Sequence, residues 1–130
     1  MKEYGGKVRV AFKHRPLDFH PEAKMLAEAS MAAHEQGKFW EMHDAIFEKK
    51  PKSVDAVVAI ARELGLDAAK FKEAIDVKRW SAAVDADAKE AEAAGIQGTP
   101  TTFVAGRELV GAVPLDHFKR FVDFALKEAR

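Results

Sequence analysis

At Gly95 the hydrophobic pattern changes period, and that switch constrains the fold more than any single residue does. From residue 22 to 95, apolar and small residues recur three and four positions apart, the spacing that lines one side of a helix. Beyond Gly95, two short β-prone runs are separated by a turn and followed by one more amphipathic stretch. Ahead of the helices, Lys7-Val8-Arg9-Val10-Ala11-Phe12-Lys13 alternates charged and apolar side chains. That alternation predicts a strand with Val8, Val10 and Phe12 on its buried face. The order is strand, helices, hairpin, helix, which is a mixed α/β chain.

Local signals place the elements within this order. His14-Arg15-Pro16-Leu17-Asp18-Phe19-His20-Pro21 carries two prolines that cannot donate ladder hydrogen bonds, so it reads as a loop. Pro21 suits a first helical turn, and Ala23, Leu26, Ala27, Ser30 and Ala33 form the stripe of a close-packing helix ended by Gly37. Phe39, Met42, His43, Ile46 and Phe47 mark a second helix that stops before Pro51. Ser53 is placed to cap a third, whose stripe is Ala56, Val57, Ile60, Ala61 and Leu64, and Asp67 to cap a short fourth with Phe71, Ala74 and Ile75. Val77, Trp80, Val84, Ala91 and Ala94 suggest a fifth. After it, Thr101–Ala105 and Glu108–Gly111 read as a hairpin turning at Gly106-Arg107, and Pro114 introduces a helix with the stripe Leu115, Phe118, Phe121, Val122, Ala125 and Leu126.

Composition narrows the function. A chain of 130 residues that is 48% hydrophobic suffices for one ordinary core and is short for two full domains. Its 21 basic and 21 acidic residues cancel, which gives no broad attraction to nucleic acid or anionic membrane, and neither is expected as a partner. No apolar stretch approaches the roughly 20 residues that span a bilayer. Cysteine is absent, which removes every disulfide, thiolate nucleophile and cysteine metal site from these residues.

The remaining chemical groups are sparse. The five histidines show no His-Glu-x-x-His spacing, so neither a metal site nor a bound cofactor is expected. His43 sits beside Phe39 and Phe47, where a packed histidine is the simpler reading, and His14 and His20 flank loop prolines, where exposure is expected. Trp40 and Trp80 fit packing between helices. Asp85, Asp87, Glu90 and Glu92 form a charged, solvated face rather than a catalytic pair.

Three passages, in their order, resemble the DsbA-like branch of the thioredoxin superfamily. Pro16-Leu17-Asp18-Phe19-His20-Pro21-Glu22-Ala23 is similar to the family's exit from a strand into its helical insertion. Gln36-Gly37-Lys38-Phe39-Trp40-Glu41-Met42-His43-Asp44-Ala45-Ile46-Phe47 is similar to the second inserted helix. Gly95-Ile96-Gln97-Gly98-Thr99-Pro100-Thr101-Thr102-Phe103-Val104 resembles the cis-proline loop and the strand after it. The resemblance implies one thioredoxin-like α/β domain over residues 1–130, with a helical insertion at 22–95 between the first strand and the C-terminal β-hairpin plus helix.

It further implies an incomplete fold. Family members begin with a strand, a Cys-x-x-Cys turn and a helix ahead of the strand matched at Lys7 to Lys13, and Met1 to Gly6 looks like the tail of that helix. An N-terminally truncated domain with two unpaired sheet edges is expected. Thr99 and Pro100 correspond to the family's substrate-binding positions, where the residue before proline offers its backbone to an extended substrate. Only about 5 to 6 per cent of X-Pro bonds in folded proteins are cis; the resemblance nonetheless implies a cis Pro100.

The expected function is therefore that of the C-terminal portion of a thiol-disulfide oxidoreductase acting on protein or peptide substrates; the residues do not assign a compartment, and the resemblance allows bacterial periplasm or cytoplasm. With no cysteine and no other catalytic residue it should be redox-inactive alone. A glutathione-dependent isomerase or transferase of the same fold branch is the alternative within the family. A non-catalytic peptide-binding or self-assembling module is the alternative outside it, with homo-oligomers formed through unpaired sheet edges.

Overall fold

A computed structural model describes residues 4–17 and 20–128. Six helices and one hairpin follow each other in the order α1 Ala23–His34, α2 Phe39–Lys49, α3 Val54–Glu63, α4 Ala68–Asp76, α5 Ser81–Ala93, β1 Thr101–Val104, β2 Arg107–Val110 and α6 Leu115–Glu128. The chain divides into two compact units, residues 14–90 and residues 4–13 together with 91–128.

The core lies in the 14–90 unit. Ala29, Ala32 and Ala33 of α1, Met42 of α2, Val57, Val58, Ile60 and Ala61 of α3, and Phe71, Ala74 and Ile75 of α4 form one buried cluster. Small side chains on α1 let neighbouring backbones approach closely. The buried side of α1 is Glu28, Ala29, Ser30, Ala32 and Ala33, rotated from the expected stripe, and Leu26 packs only at its margin. An alanine-rich helix gives many positions equal hydrophobic weight, so periodicity alone does not fix its rotation.

Helix ends follow the punctuation in the sequence. Ser53 Oγ accepts the Ala56 amide at 3.1 Å and Asp67 Oδ1 accepts that of Lys70 at 3.1 Å, so each caps its helix. Gly37, Gly65 and Gly95 sit at φ 76, 79 and 77 and stop α1, α3 and α5. Around each, one amide reaches back five residues and another three: Lys38 to Ala33, Leu66 to Ala61 and Ile96 to Ala91 are the longer bonds. Lys78, φ 53, makes the same stop after α4 without being glycine, with Arg79 N–H donating to Ala74 O at 3.0 Å. That stop starts α5 at Ser81, not at Val77, which is exposed.

Side-chain ties hold α1 to the elements after it. The Gln36 amide accepts the Asp67 N–H at 2.8 Å and donates to the Asp67 carbonyl at 3.2 Å. Glu35 takes two bonds from Arg79 Nη1, at 3.2 and 2.9 Å, and one from Trp80 Nε1.

In the other unit, β1 and β2 pair antiparallel with Thr101 opposite Val110 and Val104 opposite Arg107. The turn is therefore Ala105-Gly106, at φ 50 and 87, and not Gly106-Arg107. Two residues of positive φ make a turn whose twist matches the strands. The expected strand at residues 7–13 is not formed: residues 8–17 run without helix, turn or bend and pair with no strand among the described residues. Val10 is 52% and Phe12 42% exposed, so the face expected to be buried is open. A strand exists only as a pair, and alternation signals the capacity for pairing without supplying the partner. Likewise no residue of α6 is buried; its expected stripe is half-covered, and Leu115 is exposed.

Candidate substrate-binding loop

The loop at residues 96–100 is held at both ends. Upstream, the Gly95 stop fixes its departure from α5, with Ile96 half-buried. Downstream, Gly111 N–H donates to the Pro100 carbonyl at 2.8 Å, one step beyond the Thr101–Val110 pair, so the hairpin's bonding continues to Pro100. Thr101 Oγ1 donates to the Gly98 carbonyl at 2.8 Å and braces the turn between them. The Thr99–Pro100 peptide bond is cis.

Thr99 and Pro100 are both exposed. Among the described residues the Thr99 backbone forms no hydrogen bond, so the bonding capacity of its amide and carbonyl is unused. Residues 96–102 contain no ionisable side chain and no nucleophile beyond threonine hydroxyls. What the loop offers chemically is backbone hydrogen-bonding groups and threonine hydroxyls.

Beside this loop's hairpin lies a site that local sequence reasoning does not find. Arg107 of β2 and Arg120, Phe121 and Phe124 of α6 line an open cleft of about 370 Å³. The Arg107 guanidinium rests 4.2 Å from the Phe124 ring centroid and reaches the Glu128 carboxylate at 3.3 and 3.4 Å. Tyr4 Oη donates to Asp123 Oδ1 at 3.1 Å on the same helix. No periodicity links residues 107 and 120; only the hairpin register against α6 brings them together.

His14, His34 and His43 and both tryptophans lie in the 14–90 unit, where they form ring contacts. Phe39 meets His14 at 6.3 Å, His34 at 6.4 Å and Trp40 at 4.9 Å between centroids, and His43 lies 5.2 Å from Trp40 and 4.8 Å from Phe47. His43 Nδ1 also stands 3.0 Å from Asp44 Oδ1. Trp40 and Phe47 remain exposed rather than packed between helices. His14, expected to be exposed, is buried, and its own amide donates to Asp87 Oδ2 at 3.0 Å. Burial holds the His14 imidazole below its usual value, with the Asp87 charge partly opposing this. Lys24 and Lys72 are shifted upward, chiefly by their hydrogen bonds to Asp85 and Asp76. Among the described residues no three His, Cys, Asp or Glu side chains gather as a metal site.

Comparison with known proteins decides the family, because the profile of the DSBA-like thioredoxin domain matches residues 1–123. The chain belongs to that family. The DSBA-like domain is 38% identical over 125 residues to the Na(+)/H(+) antiporter NhaA 3 of Salinispora tropica, covering 95% of this chain and 19% of that protein. The Na(+)/H(+) antiporter NhaA of Herminiimonas arsenicoxydans is 36% identical over 110 residues, 84% of this chain and 17% of its own length. Disulfide bond formation protein D of Bacillus subtilis is 26% identical over 138 residues, 97% of this chain and 61% of its length. The chain thus spans under a fifth of the antiporters and less than two thirds of the Bacillus protein. No solved structure matches it.

Proposed function

We propose that this DSBA-like domain supplies the substrate-binding side of a thiol-disulfide oxidoreductase, and that the redox-active sulfurs belong to a Cys-x-x-Cys segment outside these 130 residues. The observation that carries the reading is the loop at 96–100, braced at both ends yet presenting the Thr99 backbone unbonded beside Pro100. An extended substrate held there would lie with its disulfide beside a thiolate on the added segment. That thiolate attacks one substrate sulfur to form a mixed disulfide, and the second cysteine then displaces it, releasing the substrate as a dithiol and leaving the segment oxidised. In this reading residues 22–95 are the helical insertion between the strand-forming stretch at 7–13 and the hairpin with α6.

The family match and the likeness to disulfide bond formation protein D support this function. Among the described residues no helix is long and apolar enough to cross a membrane. We read the stretch shared with the antiporters as a module carried on a longer polypeptide and assign it no ion transport.

The test is insulin reduction by dithiothreitol. The 130-residue chain alone should leave the rate of precipitation unchanged, and the same chain joined to a strand, Cys-x-x-Cys turn and helix should raise it. Acceleration by the chain alone, or none by the joined protein, would sink the reading.

A second reading, a module that recruits a strand from another polypeptide, is favoured by one separate observation. Residues 7–13 carry strand-type alternation and expose Val10 and Phe12. Strand recruitment needs no sulfur.

A further inference from the structure

The hairpin and α6 bring two arginines to one cleft, and neither guanidinium has its bonding capacity filled. Side chains alternate along β2, so Arg107 shares a face with the buried Leu109 and is itself half-buried. Its Nη2 donates to the Glu128 carboxylate at 3.3 and 3.4 Å, longer than the usual N–H···O bond. Among the described residues its Nε and Nη1 form no hydrogen bond, so most of the guanidinium's N–H donors are unused. Arg120 is exposed, stands one helical turn before Phe124, and is in no ion pair among the described residues.

The walls around these cations are aromatic. Phe121 and Phe124 complete the lining, and the Arg107 guanidinium lies 4.2 Å from the Phe124 ring centroid. That contact sets a cation against a flat apolar surface. A volume of about 370 Å³ is within the range of small-molecule sites. Two guanidinium groups against one carboxylate leave the cleft positive, so it disfavours a cation, and a neutral apolar molecule would leave the free donors unanswered. The ligand that matches both surfaces is flat and apolar at one end and anionic at the other.

All four lining residues belong to β2 and α6. The N-terminal end of the described chain meets α6 elsewhere: Tyr4 bonds to Asp123, which lies about 100° around the helix from Phe124 and about 160° from Phe121.

We propose that this cleft binds a small aromatic carboxylate, with its ring against Phe121 and Phe124 and its carboxylate held by Arg107 and Arg120. Glu128 competes with the ligand for the Arg107 donors. The inference is independent of the disulfide reading, which uses the loop at residues 96–100.

The probe is 3-phenylpropionate, titrated into the full 130-residue chain with amide chemical shifts recorded. The shifts should centre on residues 105–108 and 119–128, with a dissociation constant of about 1 mM for so small a ligand in an open cleft. Binding should weaken as salt is raised. 3-Phenylpropionamide keeps the ring without the charge and should bind about tenfold less well; propionate keeps the charge without the ring and should lose about as much. Arg120→Gln changes an exposed side chain, and it should weaken the acid about tenfold while leaving the amide unaffected. Glu128→Gln removes the competing carboxylate and should tighten binding of the acid about threefold. The chain joined to a strand, Cys-x-x-Cys turn and helix should bind the acid as the chain alone does. Equal binding of acid and amide, unchanged affinity in Arg120→Gln, weaker binding in Glu128→Gln, shifts confined to other residues, or loss of binding in the joined protein would each overturn the proposal and leave the disulfide reading untouched.

Discussion

Lys78 adopts the left-handed conformation that Gly37, Gly65 and Gly95 adopt at the other helix stops, and a side chain with a Cβ is strained there. Lys78→Gly should therefore raise the unfolding free energy by about 0.5–1 kcal/mol, the relief of strain exceeding the added freedom of the unfolded chain. Urea denaturation would measure it. Ser53→Ala removes the oxygen that accepts the Ala56 amide and should cost about 1 kcal/mol by the same measurement. His14 sets a pH dependence. Its folded value lies below the ordinary 6.5, so above that pH both states are neutral and stability is at its full value. As pH falls through 6.5 the unfolded chain takes up the proton first, and stability declines until the folded value is reached. Denaturation midpoints should drop as pH falls through 6.5, and His14→Gln should flatten that slope.

At the scale of elements, α1 enters the core cluster through alanines, and Ala29, Ala32 and Ala33 have almost no exposed surface. Ala32→Leu should destabilise by about 1–3 kcal/mol, since the neighbouring helices must move to admit it; the thermal midpoint would report the loss. The helix boundaries were legible in the sequence because caps and glycine stops act locally, as Ser53, Asp67, Gly37 and Gly65 do. The hairpin was legible too, but its turn was displaced by one residue: Ala105-Gly106 lacks the asparagine or aspartate that marks such turns, and Ala105 adopts its positive φ under the register of the strands. The rotation of α1, the burial of His14 and the Arg107 cleft were not legible, because each depends on what another element places opposite. The loop at Thr99 and Pro100 stood out through a resemblance of whole passages, and its bracing by Gly111 required the fold.

For the whole molecule, the uneven distribution of buried surface predicts uneven protection. Amides of α3 and α4 should exchange with solvent deuterium far more slowly than those of β1, β2 and α6, which open without disrupting any large cluster. Equal protection in both units would contradict the core assignment. The aromatic residues decide how such an opening can be seen. Both tryptophans, Trp40 and Trp80, lie in the 14–90 unit, whereas the single tyrosine, Tyr4, lies in the other. Emission excited selectively in indole therefore reports on the helical unit, while loss of structure around the hairpin passes dark in that channel. Tyr4 emission, sensitive to the bond its hydroxyl donates to Asp123, is the native optical signal for the other half of the chain.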